Sequence, residues 1–158
     1  MYWQRDSVVW KNEPRLFGKQ QSAAKAVDFG KQKGIYILYD HRTVVYVGRA
    51  IDRPLGKRLY EHTRGRMSSR WDRFSWFGLL DVTEDGSLRE LSVNASLASL
   101  IVTLEALLIE ALEPPQNRKR GDDFLAIEYV QEVDPKIKEK QQIQATLRAI
   151  EQKLRDEP

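Results

Sequence analysis

No cysteine occurs in this chain of 158 residues. Disulfides, zinc ribbons and thiol catalysis are therefore excluded. Histidine is nearly as scarce. His41 and His62 are the only two, too few for a multi-histidine metal centre. A metal would have to be held by oxygen ligands, which suits hard cations such as magnesium or manganese. Long apolar runs are missing too, and none approaches the roughly 20 residues of a membrane-spanning helix. Met1 to Lys11 mixes aromatic and charged residues without the apolar stretch of a secretory signal. These absences lead to the expectation of a cytoplasmic protein.

What is present supports a folded domain. Hydrophobic residues make up 41% of the chain, enough for a core, and charged residues 31%, enough for solubility. The net charge of +3 is modest, but its distribution is uneven. Between Arg49 and Arg73, eight basic residues (Arg49, Arg53, Lys57, Arg58, Arg64, Arg66, Arg70 and Arg73) face three acidic ones. A second cluster is Arg118-Lys119-Arg120. A basic stretch by itself is more often a solvated surface. Interleaving with Tyr60, Trp71, Phe74 and Trp76 turns the reading toward phosphate binding by all these basic residues.

Along the chain, residues 1–17 read as an irregular, aromatic-rich arm packed on the domain. Ala23, Ala24, Ala26, Val27 and Phe29 suggest a short helix over 19–31. Residues 34–39 and 43–48 read as strands rich in β-branched and aromatic residues. The short break Asp40-His41-Arg42 makes them an antiparallel hairpin. A helix follows over 53–64, with Pro54 in its first turn. Residues 74–82 read as a third strand, closed by the turn signal Glu84-Asp85-Gly86. Apolar residues at 97, 100, 101, 104, 107, 108, 111 and 112 predict a helix over 97–113 with a broad buried face. Pro114-Pro115 stops it. Residues 124–130 suggest a last strand. Residues 135–155 form a polar helix with the heptad-spaced stripe Ile143, Leu147, Ile150 and Leu154. The expected fold is α+β: a small, mainly antiparallel three-stranded sheet flanked by helices, with a core over 33–120, an N-terminal arm and helix over 1–32, and a C-terminal strand and helix over 121–158.

Tyr46-Val47-Gly48 stands ten positions after Gly34-Ile35-Tyr36. Arg58 and His62 follow at i,i+4 spacing, on one face of a helix. Glu105 lies in a later apolar helix, and Asn117 comes twelve residues after it, beyond the two prolines. This ordered set resembles the GIY-YIG nucleases, over roughly residues 33–119. The second triplet reads YVG, a valine-for-isoleucine change that keeps the strand. Arg49 stands where family members often carry lysine. Residues 104–117 are similar to the glutamate helix and asparagine of the excision-repair members.

Each of these residues also has a blander reading. Tyrosines in a hairpin are usually core residues. A helix-surface histidine is commonly just solvated. Glu105, beside Leu104 and three residues before Leu108, is costly to bury unless paired, so a salt bridge to an arginine would explain it. Glu110 is a rival in the same helix, and spacing to Asn117 favours Glu105. His41 reads as a turn residue without a role.

The resemblance implies an endonuclease that hydrolyses phosphodiester bonds, most readily of DNA, to 5′-phosphate and 3′-hydroxyl ends. It implies a catalytic set of Tyr36, Tyr46, Arg58, His62, Glu105 and Asn117, with one divalent cation, magnesium or manganese, on Glu105. Arg58 would hydrogen-bond the scissile phosphate. A free tyrosine has a pKa of about 10, so Tyr36 or Tyr46 is a poor base unless its surroundings shift it. Arg49 offers a cationic neighbour for that purpose, and His62 would polarise water or a tyrosine. The alternative is a catalytically silent nucleic-acid-binding module or a subunit of a larger nuclease complex. A single active site cuts one strand. The C-terminal stripe either builds a homodimer or packs on its own chain.

Overall fold

Strand β4 (Gly34–Asp40) runs through the middle of the fold, hydrogen-bonded on both sides. The computed structural model describes residues 2–20, 25–90, 103, 104, 106–109, 112 and 127–156. Side chains of β4 alternate between faces. Tyr36 and Leu38 point into the main core, and Ile37 and Tyr39 are buried on the other side. β5 (Thr43–Ala50) returns antiparallel, with Tyr36 opposite Gly48 and Leu38 opposite Tyr46. β6 (Arg73–Gly78) flanks β4 on its other side, again antiparallel.

The sheet has four strands rather than the three expected. Trp3–Gln4 (β1) pairs with β6 and completes the order β1-β6-β4-β5. The reason lies in Trp3, which is buried and meets Phe29, Phe74 and Trp76 edge-on. The arm is thus part of the core, and Val8 and Leu16 are buried with it.

A helix does not form over 19–31 among the described residues. Phe17–Lys19 (β2) and Val27–Asp28 (β3) pair as antiparallel strands instead. Val27 and Phe29 lie two apart and are both buried, a strand period rather than a helical one. Asp28 Oδ1 accepts hydrogen bonds from the backbone N–H of Leu16 and Gly30, at 3.0 and 2.9 Å, and fixes the chain there.

The single strand expected over 74–82 is two. β6 ends at Gly78, and Leu80–Val82 (β7) pairs with Leu88–Glu90 (β8) in a separate hairpin. The buried amide of Gln32 enforces this break. Its oxygen accepts from Leu80 N at 2.8 Å and its nitrogen donates to Leu80 O at 3.0 Å. Val130–Gln131 (β9) adds to β2 and makes a three-stranded sheet, β3-β2-β9. Residues 124–126 of the last expected strand lie outside the described residues.

Helix α1 (Leu55–His62) buries Leu55, Gly56 and Leu59. Pro54 stands just before it rather than in its first turn. Residues 103, 104, 106–109 and 112 are helical, as expected. Their buried side is not: Leu104, Leu108 and Leu112 are 45%, 54% and 63% exposed, while Ala106 is buried. Periodicity finds an apolar ridge but cannot say which side the fold covers. The C-terminal helix spans Pro135–Asp156. Asp134 caps it, accepting from Lys136 N at 3.0 Å. Ile143, Leu147 and Ile150 lie about half exposed, so they are not buried against the body. Among the described residues, no helix is long and apolar enough to cross a membrane.

Candidate active site

The two tyrosine-bearing strands and α1 converge on one point. Tyr36 Oη lies 2.9 Å from Nε2 of His62. The Tyr46 and His62 rings are 4.6 Å apart at 54°, and the two tyrosine rings 6.1 Å apart. Tyr36 is fully buried, so its ring belongs to the core while its hydroxyl reaches the site.

The glycines of the paired triplets permit close packing, Gly48 at the two tyrosines and Gly34 against β6. A Cβ on Gly48 would fall 2.3 Å from Tyr36 Cζ and 2.7 Å from Tyr46 Cε1. A Cβ on Gly34 would fall 1.9 Å from the carbonyl oxygen of Phe77, and Gly34 has φ +148°. Only glycine fits either position, for steric reasons at the first and for both steric and torsional reasons at the second.

Helix α1 is fastened at both ends. Leu55 N donates to Gln32 O at 2.8 Å, and Gly56 N donates to Gly30 O at 2.9 Å. These bonds satisfy two of the donors that a helix start leaves open. At the other end, Trp71 Nε1 donates to His62 O at 3.0 Å. Arg58 and His62 are therefore presented from a fixed scaffold. The sequence reads Trp71 only as an aromatic among basic residues and gives no signal for Gln32; their scaffold roles depend on partners 9 and 48 residues away.

Arg58 donates through Nη1 to Glu61 Oε2 at 2.8 Å, and Arg53 donates through Nη1 to Glu61 Oε1 at 2.7 Å. Arg49, Arg53 and Arg58 line one open recess with Ile51 and Asp52. Glu61 was missed in the sequence, although its i,i+3 spacing from Arg58 was legible.

The electrostatics sort the roles. Burial pushes the Tyr36 phenol up to about 12, with Arg58 opposing and Tyr46 adding to the rise. The cationic neighbour that acts on Tyr36 is Arg58, and it does not bring the phenol toward neutrality. Tyr36 keeps its proton and is suited to donate a hydrogen bond. Burial, then Arg58, lowers the pKa of His62, against an opposing pull from Glu61. His62 is neutral at pH 7 and is the group suited to accept a proton.

The remaining basic residues have partners of their own or stand exposed. Lys57 bonds Asn12 and lies over the Tyr60 ring. Arg64 bonds the Tyr60 hydroxyl and stacks on its ring. Arg66 and Arg70 are exposed near the short 3-10 turn Gly65–Met67. Arg73 pairs with Asp72 at 3.5 Å and is in register with Tyr39, at the far end of β4 from Ile35 and Arg49. Glu105, Asn117, Arg118, Lys119 and Arg120 lie outside the described residues.

One group of candidate metal ligands occurs among the described residues. Asp40, His41 and Asp72 place ligand atoms within 4.8 Å of one another at the β4–β5 turn. His41 Nδ1 lies 2.7 Å from Asp40 Oδ1, and His41 N donates to Asp72 Oδ1 at 2.7 Å. These internal contacts account for the cluster, which sits at the opposite end of β4 from Arg49. Glu61 has both carboxylate oxygens committed to arginines. Comparison with protein-family models, curated proteins and solved structures finds no match for this chain.

Proposed function

We propose that this chain is a metal-dependent nuclease of the GIY-YIG type, hydrolysing phosphodiester bonds of nucleic acid with DNA as the favoured substrate. One observation carries the reading. Tyr36, Tyr46, His62 and Arg58, from two strands and a helix, share one network beside an arginine-lined recess. A structural core needs none of that chemistry: a neutral histidine, a protonated phenol and a cation together suit acid-base work on an anionic substrate.

In this reading a phosphodiester enters the recess and meets Arg58, which offsets the charge growing on the phosphorus-bound oxygens. His62, neutral, accepts a proton from the attacking water directly or through Tyr36. The Tyr36 hydroxyl donates and orients rather than acting as the base. A divalent cation on Glu105 would supply Lewis-acid stabilisation of the leaving oxygen. Asn117 would anchor the neighbouring loop. Products with 5′-phosphate and 3′-hydroxyl ends follow from the resemblance.

The test is cleavage of labelled single- and double-stranded DNA and RNA in magnesium, manganese or EDTA, by the wild type, Glu105→Ala and His62→Ala. Metal-dependent cutting lost in both variants supports the reading. Salt-sensitive binding with no cutting supports a binding module instead.

A further inference from the structure

Among the described residues, Glu61 is the carboxylate that joins two arginines of the recess. Arg53 lies before helix α1 and Arg58 within it, yet the same side chain accepts from both, one oxygen each, at 2.7 and 2.8 Å. The Arg58 and Glu61 side chains are 22% and 28% exposed, so this half of the bridge is partly shielded from water. Arg53 is 57% exposed and reaches out from it.

Three guanidinium groups around one recess repel one another unless an anion lies between them. Asp52 lines the recess beside them, and Glu61 is the carboxylate bonded to two of the three, Arg53 and Arg58, without filling their donors. Each guanidinium carries five N–H groups in a fixed fork, and Glu61 takes an Nη1 contact from each. The remaining donors of both arginines are then held in defined directions at the edge of the recess. Long side chains held in this way lose less freedom when an anion arrives.

We propose that Glu61 is a positioning residue that holds Arg53 and Arg58 as a two-point clamp, with Arg53 binding the phosphate next to the one Arg58 contacts. This rests on the nuclease reading for its substrate class. The clamp itself is a binding device and is testable without turnover.

The two natural rivals predict opposite signs. If Glu61 were only a surface charge, or if it blocked the arginines, its neutralisation would strengthen binding of a polyanion. If it positions them, neutralisation weakens binding and slows cleavage.

The probe is the trinucleotide dTpTpT in EDTA, titrated while the guanidinium signals of Arg53 and Arg58 are followed by NMR. In the wild type both signals shift together on one binding curve. Glu61→Gln weakens that binding about 3- to 10-fold and uncouples the two signals. Arg53→Ala has less effect in the Glu61→Gln background than alone, as expected for groups acting together. With magnesium and a DNA substrate, Glu61→Gln lowers kcat about 10- to 100-fold, the loss that misplaced catalytic groups bring. Arg53→Lys, which keeps the charge but not the fork, checks the clamp where Glu61→Gln does not fold.

Equal or tighter trinucleotide binding by Glu61→Gln overturns the proposal. So does a wild-type titration in which Arg53 does not move. Absence of cleavage by the wild type overturns the nuclease reading alone, because the titration still decides the clamp.

Discussion

Gly48→Ala tests the candidate site at its tightest contact. The new methyl would stand 2.3 Å from Tyr36 Cζ and 2.4 Å from its hydroxyl, where ordinary contact begins at 3.4 Å. Something must yield by roughly 1 Å. Tyr36 is fully buried in the core and Trp76 stands opposite it on β6, so it has no free direction. Tyr46 is only partly buried and moves more easily. Overpacking of this kind costs about 1–3 kcal/mol. For a chain of this size each kcal/mol lowers Tm by about 2–4 °C, so the expected drop is about 2–12 °C. A shift of about 1 Å also breaks the 2.9 Å Tyr36–His62 contact, and misplacement on that scale lowers a rate about 100-fold. The assay pairs a thermal melt with cleavage of labelled DNA. Gly65→Ala is the control, since nothing lies within 4 Å of its added methyl and only its φ of +64° is strained. It should cost about 1–3 kcal/mol, the range for a residue forced into the left-handed region, and leave the rate intact. A Gly48→Ala protein with unchanged Tm and full activity would refute the packing argument. Lost stability with a full rate would remove Tyr36 and Tyr46 from the chemistry.

Other consequences are measurable. His62 has a pKa below its ordinary 6.5 in the folded chain, so below that pH the unfolded chain binds more protons and stability falls as the medium is acidified. The loss begins near pH 6.5 and is complete below the folded pKa. His62→Gln should show a smaller drop between pH 7.5 and 5 in urea denaturation. Gln32→Ala leaves the Leu80 N–H and carbonyl without their partner and should cost about 2–3 kcal/mol, read as a lower urea midpoint with unchanged slope. Tyr36→Phe removes only the hydroxyl, so the fold should survive while cleavage falls about 10- to 100-fold, the loss of one hydrogen bond to a charged group. If the exposed Ile143, Leu147 and Ile150 join two copies, Leu147→Lys should turn a concentration-dependent mass in light scattering into a monomer mass. A wild-type mass that is monomeric at every concentration ends the dimer idea.

Much of this protein could be read from its residues. The β4–β5 hairpin was legible because alternating Ile, Val and Tyr residues with a short polar break carry a local signal. Helix α1 and the C-terminal helix were legible from their spacing. Tyr36, Tyr46, Arg58 and His62 stand out as an ordered set, and the absence of cysteine by itself narrows the chemistry. The tertiary structure decided what depends on residues distant in the chain. It made Trp3 the anchor of a fourth strand, turned Val27–Asp28 from an expected helix into a strand, and let Gln32 split one expected strand into two. It made Glu61 the bridge between two arginines and separated Arg73 from the recess. It also fixed the proton inventory, since burial of Tyr36 and His62 depends on what packs around them. Local sequence encodes backbone preference and periodicity. Desolvation, close approach and partner choice arise only when distant segments meet.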